Sequence, residues 1–226
     1  AETWSANLLG TLNLMEACRN NPRIKSVVVA SSDKAYGDPL FQPYTEIHPL
    51  NALHPYDSSK ACQDMMTRSY ARCYGVPAVV TRFGNIFGPG DLHWNRLIPG
   101  LMRSIARREE FLVRSDGKAT RDFVYVKDVA NAYLAIGMRA SEFVGEALNI
   151  TSKTHLSVLG LIEQIQEALG TRVPVRILNE AKHEIQTQRV SDDRFRSLFP
   201  GFRDTPFQEA IMQTWEWYKA RENTRV

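Results

Sequence analysis

Apolar positions recur at helical spacing from the first residues. Trp4, Leu8, Leu9, Leu12 and Leu14 predict a helix over Asn7 to Asn20, closed by Asn20-Asn21-Pro22. A β-branched run, Ser26-Val27-Val28-Val29-Ala30, then predicts a buried strand. After a polar, Pro-bearing stretch the pattern returns to helical spacing from Tyr56 to Tyr74, with Ala61, Met65, Tyr70 and Cys73 on the repeat and Gly75-Val76-Pro77 as its stop. The run Ala78-Val79-Val80-Thr81-Arg82-Phe83 follows as a second strand. Strands that are apolar throughout, separated by helices, belong to parallel sheets covered on both faces, because a half-solvated strand would alternate. Further on, the pattern predicts helices over Trp94 to Arg107, Val126 to Met138, Leu156 to Leu169 and Pro206 to Lys219. Short strands are predicted at Glu110 to Arg114, Ala147 to Ile150 and Val173 to Leu178.

Composition narrows the class. With 43% hydrophobic and 23% charged residues in 226, the chain is an ordinary globular sequence. A net charge of +3 is too small to form a nucleic-acid footprint, and Arg103, Arg107 and Arg108 run directly into Glu109 and Glu110, as on a solvated helix face. No nucleic-acid partner is expected. Cys18, Cys62 and Cys73 form no C-x-x-C pair, so packed thiols in a reducing compartment are expected, and no metal site. No apolar run reaches the length of a membrane span, and residues Ala1 to Asn7 lack the form of a signal peptide. The expectation is a cytoplasmic protein without a membrane partner.

Three places carry candidate chemistry. In Tyr56-Asp57-Ser58-Ser59-Lys60 the tyrosine and lysine are four apart and share one helix face, where an ammonium favours the phenolate. At the end of the first strand a buried run breaks into Ser31-Ser32-Asp33-Lys34, and ligands of open α/β sheets bind outside the carboxyl ends of strands. The second strand runs through Phe83 into Gly84-Asn85-Ile86-Phe87-Gly88-Pro89-Gly90-Asp91, read as a glycine-rich loop suited to close approach of a ligand. A turn and a helix cap would explain each of these singly.

Together and in this order they resemble the extended short-chain dehydrogenase/reductase family of NAD-dependent sugar epimerases and dehydratases, over nearly the whole chain. Asn7-Leu8-Leu9-Gly10-Thr11 looks like the family's N-x-x-G-T helix start, and Ser32, Tyr56 and Lys60 look like its Ser/Thr-Tyr-Lys set. Arg121-Asp122-Phe123-Val124-Tyr125-Val126-Lys127-Asp128-Val129-Ala130 is similar to its R-D-F/Y-V-x-V-x-D-V-A segment, and Trp215, Trp217 and Tyr218 to its W-x-W-Y ending. The triplet Ser32-Asp33-Lys34 looks most like that of CDP-glucose 4,6-dehydratases, with 4-epimerases as the neighbouring alternative and a non-catalytic nucleotide-binding relative as another.

The resemblance implies an α/β fold with a Rossmann-like parallel sheet and a smaller α/β substrate-binding domain. Residues 1–93 would be a partial NAD-binding domain and 94–226 mainly the substrate-binding region, the two free to interleave. It implies NAD as cofactor and a nucleotide-diphosphate sugar as substrate. Tyr56 would take the sugar 4-hydroxyl proton, Lys60 would bind the nicotinamide ribose, and Phe83 would lie against the cofactor. Ser32 would hydrogen-bond the 4-oxygen, Asp33 would protonate the departing 6-hydroxyl, and Lys34 would take the C5 proton. Asn85, Arg121 and Arg189 would contact the nucleotide diphosphate. Helices Asn7 to Asn20 and Tyr56 to Tyr74, with Cys18, Met65 and Met66, would form a homodimer interface as in many relatives, or equally a monomer core. The family's G-x-x-G-x-x-G turn, which receives the cofactor pyrophosphate at a helix N-terminus, has no match here. The expectation is therefore a fragment or a truncated gene that lacks the first βαβαβ half, binds NAD poorly and turns over no substrate by itself.

Overall fold

The computed structural model describes residues 1–38, 41–180 and 185–223. The first helical segment is α1 (Glu2–Trp4), a π-helical stretch Ser5–Leu9, and α2 (Gly10–Arg19), continuous with one another. It is followed by β1 (Val27–Ala30), a 3-10 turn Asp33–Tyr36, α3 (Pro55–Tyr74), β2 (Ala78–Phe83) and β3 (Asn85–Phe87). Next come α4 (Leu97–Arg107), β4 (Phe111–Val113), β5 (Thr120–Tyr125), α5 (Val126–Met138) and β6 (Ala147–Ile150). The chain closes with β7 (His155–Ser157), α6 (Val158–Leu169), β8 (Val175–Ile177), β9 (Thr187–Gln188), α7 (Asp193–Leu198) and α8 (Phe207–Asn223).

Two compact units share these elements. Ala1–Gly84, Ala130–Thr151 and Gln188–Phe202 make the first, and Asn85–Val129, Ser152–Thr187 and Arg203–Val226 the second. In the first, β1, β2 and β6 form a parallel sheet in the order β1-β2-β6, with Val29 opposite Val80 and Arg82 opposite Asn149. Every residue of β2 is buried, as a central strand covered on both faces requires. Alternation sorts its side chains: Arg82 points to α3, while Thr81 and Phe83 meet Tyr133 of α5 on the other face. Met15, Cys18, Val29, Ala71, Val76 and Ala78 form an apolar core between α2, α3 and the sheet. Cys18 is buried there, whereas Cys62 is half-buried and Cys73 exposed, so packing of the thiols holds for Cys18 and is corrected for Cys73.

In the second unit β3 pairs in parallel with β5, β5 pairs antiparallel with β7, and β4 pairs in parallel with β8. Its core gathers Leu101, Met102 and Ile105 of α4, Leu161 and Ile165 of α6, and Ile211 and Tyr218 of α8. The Trp-x-Trp-Tyr segment is thus a packing element: Tyr218 lies against Trp94 and Trp217, and its hydroxyl donates to the Asp91 carbonyl. Two short strands correct the sequence pattern. Asn85–Phe87 is a strand and not loop, and Thr120–Tyr125 extends as a strand into α5. Both were obscured because three-residue pairings leave no periodicity to read. Gly88 ends β3 at φ +154°, where an added Cβ would lie 2.3 Å from Val126 Cγ1, so close backbone approach accounts for this glycine.

The charged residue inside β2 is the energetic centre of the first unit. Arg82 is fully buried; its Nε and Nη2 donate to the two Asp64 oxygens at 2.8 and 3.0 Å, and Nη1 donates to Tyr36 Oη at 2.6 Å. Tyr36 Oη donates in turn to Asn149 Oδ1 at 2.8 Å. Removing one partner of such a pair leaves a buried charge uncompensated, at a cost of ~3–5 kcal/mol. Arg82→Met is therefore expected to lower unfolding stability by ~3–5 kcal/mol in urea titrations, and the double variant with Asp64→Leu to recover part of that loss.

Candidate functional site

The carboxyl end of β1 and the N-terminal turns of α3 carry the first set of predicted residues. Ser32 caps the 3-10 turn, its Oγ accepting from Lys34 N at 3.2 Å and donating to Asp33 Oδ1 at 3.0 Å. Asp33 is buried, with Lys34 Nζ 3.8 Å from its Oδ1. Lys34 Nζ also donates to Gln188 Oε1 at 3.1 Å. The turn ends at Gly37, whose φ of +77° and approach to the Asn51 carbonyl leave no room for a Cβ.

On α3, Pro55 at the first helical position follows His54 as N-cap, the placement proline favours. Tyr56 comes next and is 46% exposed, so its ring is turned to the surface and not into the core. One turn on, Lys60 Nζ donates to the Ala30 carbonyl at 2.9 Å and to Gln63 Oε1 at 3.0 Å. The Lys60 carbonyl in turn accepts from Ser31 Oγ at 3.3 Å, a second tie between the helix and the strand end. Burial lowers the Lys60 pKa, which eases its exchange of a proton with a neighbour. Asp57 between them is buried and its pKa is raised, by burial first and then by Asp33, against the opposing pull of Lys34 and His54.

The remaining candidates lie elsewhere. Phe83 is buried in the first unit and stacks on Tyr133 with ring centroids 5.6 Å apart. Arg189, also in the first unit, has an exposed side chain, and its carbonyl accepts from Tyr44 N at 2.9 Å. Asn85 and Arg121 belong to the second unit, on β3 and β5. Arg121 Nη1 donates to the Thr120 carbonyl at 2.7 Å, and the adjoining Asp122 holds His155 Nδ1 at 2.6 Å.

Sequence reasoning passed over Asp64, Arg82, Tyr36, Asn149 and Gln188. Two signals were present: Asp64 stands four residues after Lys60 on the same helix face, and Arg82 interrupts an apolar strand, where a charge demands a partner. The partner's identity needs the sheet. Burial alone would lower the proton affinity of Arg82, yet hydrogen bonds and charge from Asp64, with Tyr36, raise it. Among the described residues no group of three or more His, Cys, Asp or Glu side chains is placed to hold a metal, and no helix is long and apolar enough to cross a membrane.

Lys60 gives a pH signature. Its folded pKa lies below the unfolded value of 10.5, so between the two the unfolded chain binds the extra proton and stability rises with pH. Measured against Lys60→Met, which has no such group, the wild-type chain is expected to gain thermal stability as pH climbs through the folded pKa towards 10.5. Melting curves of both proteins from pH 7 upward check this; a constant difference would show that Lys60 carries no buried charge.

The chain is 27% identical over 229 residues to dTDP-D-glucose 4,6-dehydratase of Bos taurus, covering 96% of this chain and 61% of that protein, so it spans under two thirds of that relative. The crystal structure of dTDP-glucose 4,6-dehydratase from Bacillus anthracis in complex with NAD superposes with a TM-score of 0.87 at 27% identity, over 97% of this chain and 69% of that one. UDP-N-acetylglucosamine 4-epimerase from Methanobrevibacter ruminantium gives 0.84 at 26% identity, over 96% and 70%. These neighbours share the Rossmann-like α/β fold, and the cofactor is NAD. With residues 1–151 matching its model, the chain belongs to the NAD dependent epimerase/dehydratase family.

Proposed function

We propose that this chain carries the sugar-side machinery of a nucleotide-sugar 4,6-dehydratase, with CDP-glucose the favoured substrate. Membership of the family supports chemistry on a nucleotide sugar in general. The observation that favours dehydration is the Ser32-Asp33-Lys34 turn, which sets a buried carboxyl and an ammonium 3.8 Å apart, with Ser32 Oγ donating to that carboxyl at 3.0 Å. Dehydration needs both an acid and a base, whereas 4-epimerisation moves only the 4-hydroxyl proton and one hydride.

The residues present fit the nicotinamide-ribose end of NAD. Lys60 spends two donors on Ala30 and Gln63, and an ammonium has a third for a ribose hydroxyl. When bound, NAD accepts a hydride from sugar C4 and later returns it to C6. Tyr56 takes the 4-hydroxyl proton, with Lys60 stabilising the phenolate, and Ser32 donates to the resulting 4-oxygen. The ketone acidifies C5. Lys34 takes the C5 proton as the C5–H electron pair forms the C5=C6 bond, and the C6–O bond breaks with Asp33 protonating the oxygen, which leaves as water. Lys34 returns that proton to C5 as C6 is reduced, and the proton held by Tyr56 passes through solvent to restore Asp33. Asn85, Arg121 and Arg189 supply donors for the nucleotide diphosphate. With no G-x-x-G-x-x-G turn in its sequence, the 226-residue chain holds the cofactor pyrophosphate weakly.

A homodimer formed through α2 and α3 completes the proposal, supported by the exposed Leu14 and Met65 on those helices. Similarity to the Methanobrevibacter 4-epimerase supports the second reading, 4-epimerisation.

In a form of the protein that binds NAD, CDP-glucose is expected to give a 4-keto-6-deoxy product, seen by mass spectrometry and by absorbance in base, in preference to dTDP-glucose, GDP-mannose and UDP-glucose, while the 226-residue chain alone turns over none of them. Asp33→Asn and Lys34→Met should abolish that product. A 4-epimer in its place would establish the second reading. Calorimetric titration of the 226-residue chain with NAD is expected to give weak binding only.

A further inference from the structure

Gln63 and Thr11 are buried polar side chains that the steps above leave unused. They stand on facing helical segments, which two polar contacts hold in register. Asn7 Nδ2 donates to Ser59 Oγ at 2.9 Å, and four residues further along each segment Gln63 Nε2 donates to Thr11 Oγ1 at 2.6 Å. Asn7 and Thr11 are the two ends of the Asn7-Leu8-Leu9-Gly10-Thr11 motif, so that motif is where the first helical segment grips α3. The other end of the Gln63 amide accepts from Lys60 Nζ at 3.0 Å. An ammonium only donates, so the amide oxygen must face Lys60 and the amide nitrogen must face Thr11, whose hydroxyl accepts. Both acceptors of Lys60, the Gln63 amide and the Ala30 carbonyl, are neutral. Among the described residues no carboxylate pairs with Lys60, and Asp64, next after Gln63, is taken by Arg82 and Arg68.

Resting on the role given to Lys60 above, we propose that Gln63, with its amide held by Thr11, is a positioning residue that acts through Lys60: it fixes the ammonium without neutralising it, so that the charge and the third N–H stay available to a ligand oxygen. A carboxylate in the same place would hold the ammonium more firmly and cancel its field. An apolar side chain would leave the field but release the head group, which a flexible four-carbon stem then carries through several positions. A neutral acceptor avoids both faults, provided its own orientation is held, and Thr11 holds it. Gln63 touches neither cofactor nor sugar in this scheme.

The rate at which Lys60 of the full 226-residue chain reacts with an acylating reagent, followed from neutral to alkaline pH by mass spectrometry of its peptide, tests this, because only the free amine reacts. Gln63→Met takes an acceptor from the ammonium, so the profile is expected to move to lower pH and the rate at neutral pH to rise several-fold. Gln63→Glu is expected to move it to higher pH, with a rate several-fold slower. Thr11→Val leaves the amide donor unmatched and should act in the same direction as Gln63→Met by a smaller factor, while Thr11→Ser, which keeps the hydroxyl, should restore the wild-type profile. Should Gln63→Met fail to fold, Gln63→Glu and the two Thr11 variants read the same coupling. A Lys60 profile unchanged in Gln63→Met and Gln63→Glu, or in Thr11→Val, while only the melting temperature falls, would make these residues helix packing alone and overturn the inference. Neither NAD nor a sugar enters the measurement, so a failed product assay beside the expected shifts would revise the reaction and leave the clamp on Lys60 standing.

Discussion

One guanidinium ties the candidate site together. Arg82 projects from the central strand β2 towards α3, where both Asp64 oxygens receive it, and its third nitrogen, Nη1, reaches the Tyr36 hydroxyl at the end of the 3-10 turn. Asp64 lies one turn beyond Lys60 on α3, and Tyr36 lies two residues beyond Lys34. The helix carrying Tyr56 and Lys60 and the turn carrying Ser32, Asp33 and Lys34 are thus referred to a single buried charge. A buried charge accepts few alternative arrangements, because every unmatched donor costs about 1–3 kcal/mol. Spacing between the two halves of the set follows from that constraint.

Around this point the polar network closes on itself. Asn149 of β6 accepts from Tyr36 and donates its side-chain amide to the Tyr44 carbonyl, while Tyr44 donates to the Gly37 carbonyl at 2.6 Å. Tyr36 and Tyr44 stack with centroids 4.5 Å apart. Burial pushes the Tyr36 phenol up, and Arg82 and Asn149 pull it back, so it stays a neutral donor within the network. Fully satisfied, such a network rigidifies the turn that carries Ser32 to Lys34. Tyr56, by contrast, is left half out at the surface.

The electrostatics divide the ionisable groups by burial. Lys60 loses proton affinity to desolvation and Asp57 gains it for the same reason, since burial penalises whichever form is charged. Within a few residues of Tyr56 the chain therefore holds an amine inclined to release a proton and a carboxyl inclined to keep one. Groups with environments that drive them apart in this way suit proton traffic better than groups left at their solution values.

By itself the sequence determined the elements whose periodicity runs for several turns or along a fully apolar strand: α3, β2, α5 and β6 lie within a residue or two of their expected bounds. It also put Tyr56 and Lys60 on one face of α3, because helical spacing alone places residues four apart there. Tertiary structure decided the rest. Short strands such as Asn85–Phe87 exist only through their partners, so their sequence carries too little pattern to reveal them. The interleaving of Ala130–Thr151 and Gln188–Phe202 with the N-terminal residues is a matter of sheet order, which local pattern does not encode. Arg82 announced a need for a partner, yet only the register of β2 beside β6, and the packing of α3 above them, could say that the need is met by Asp64, Tyr36 and Asn149. Long-range hydrogen bonds join residues by their positions in space, and those positions are fixed by the fold as a whole.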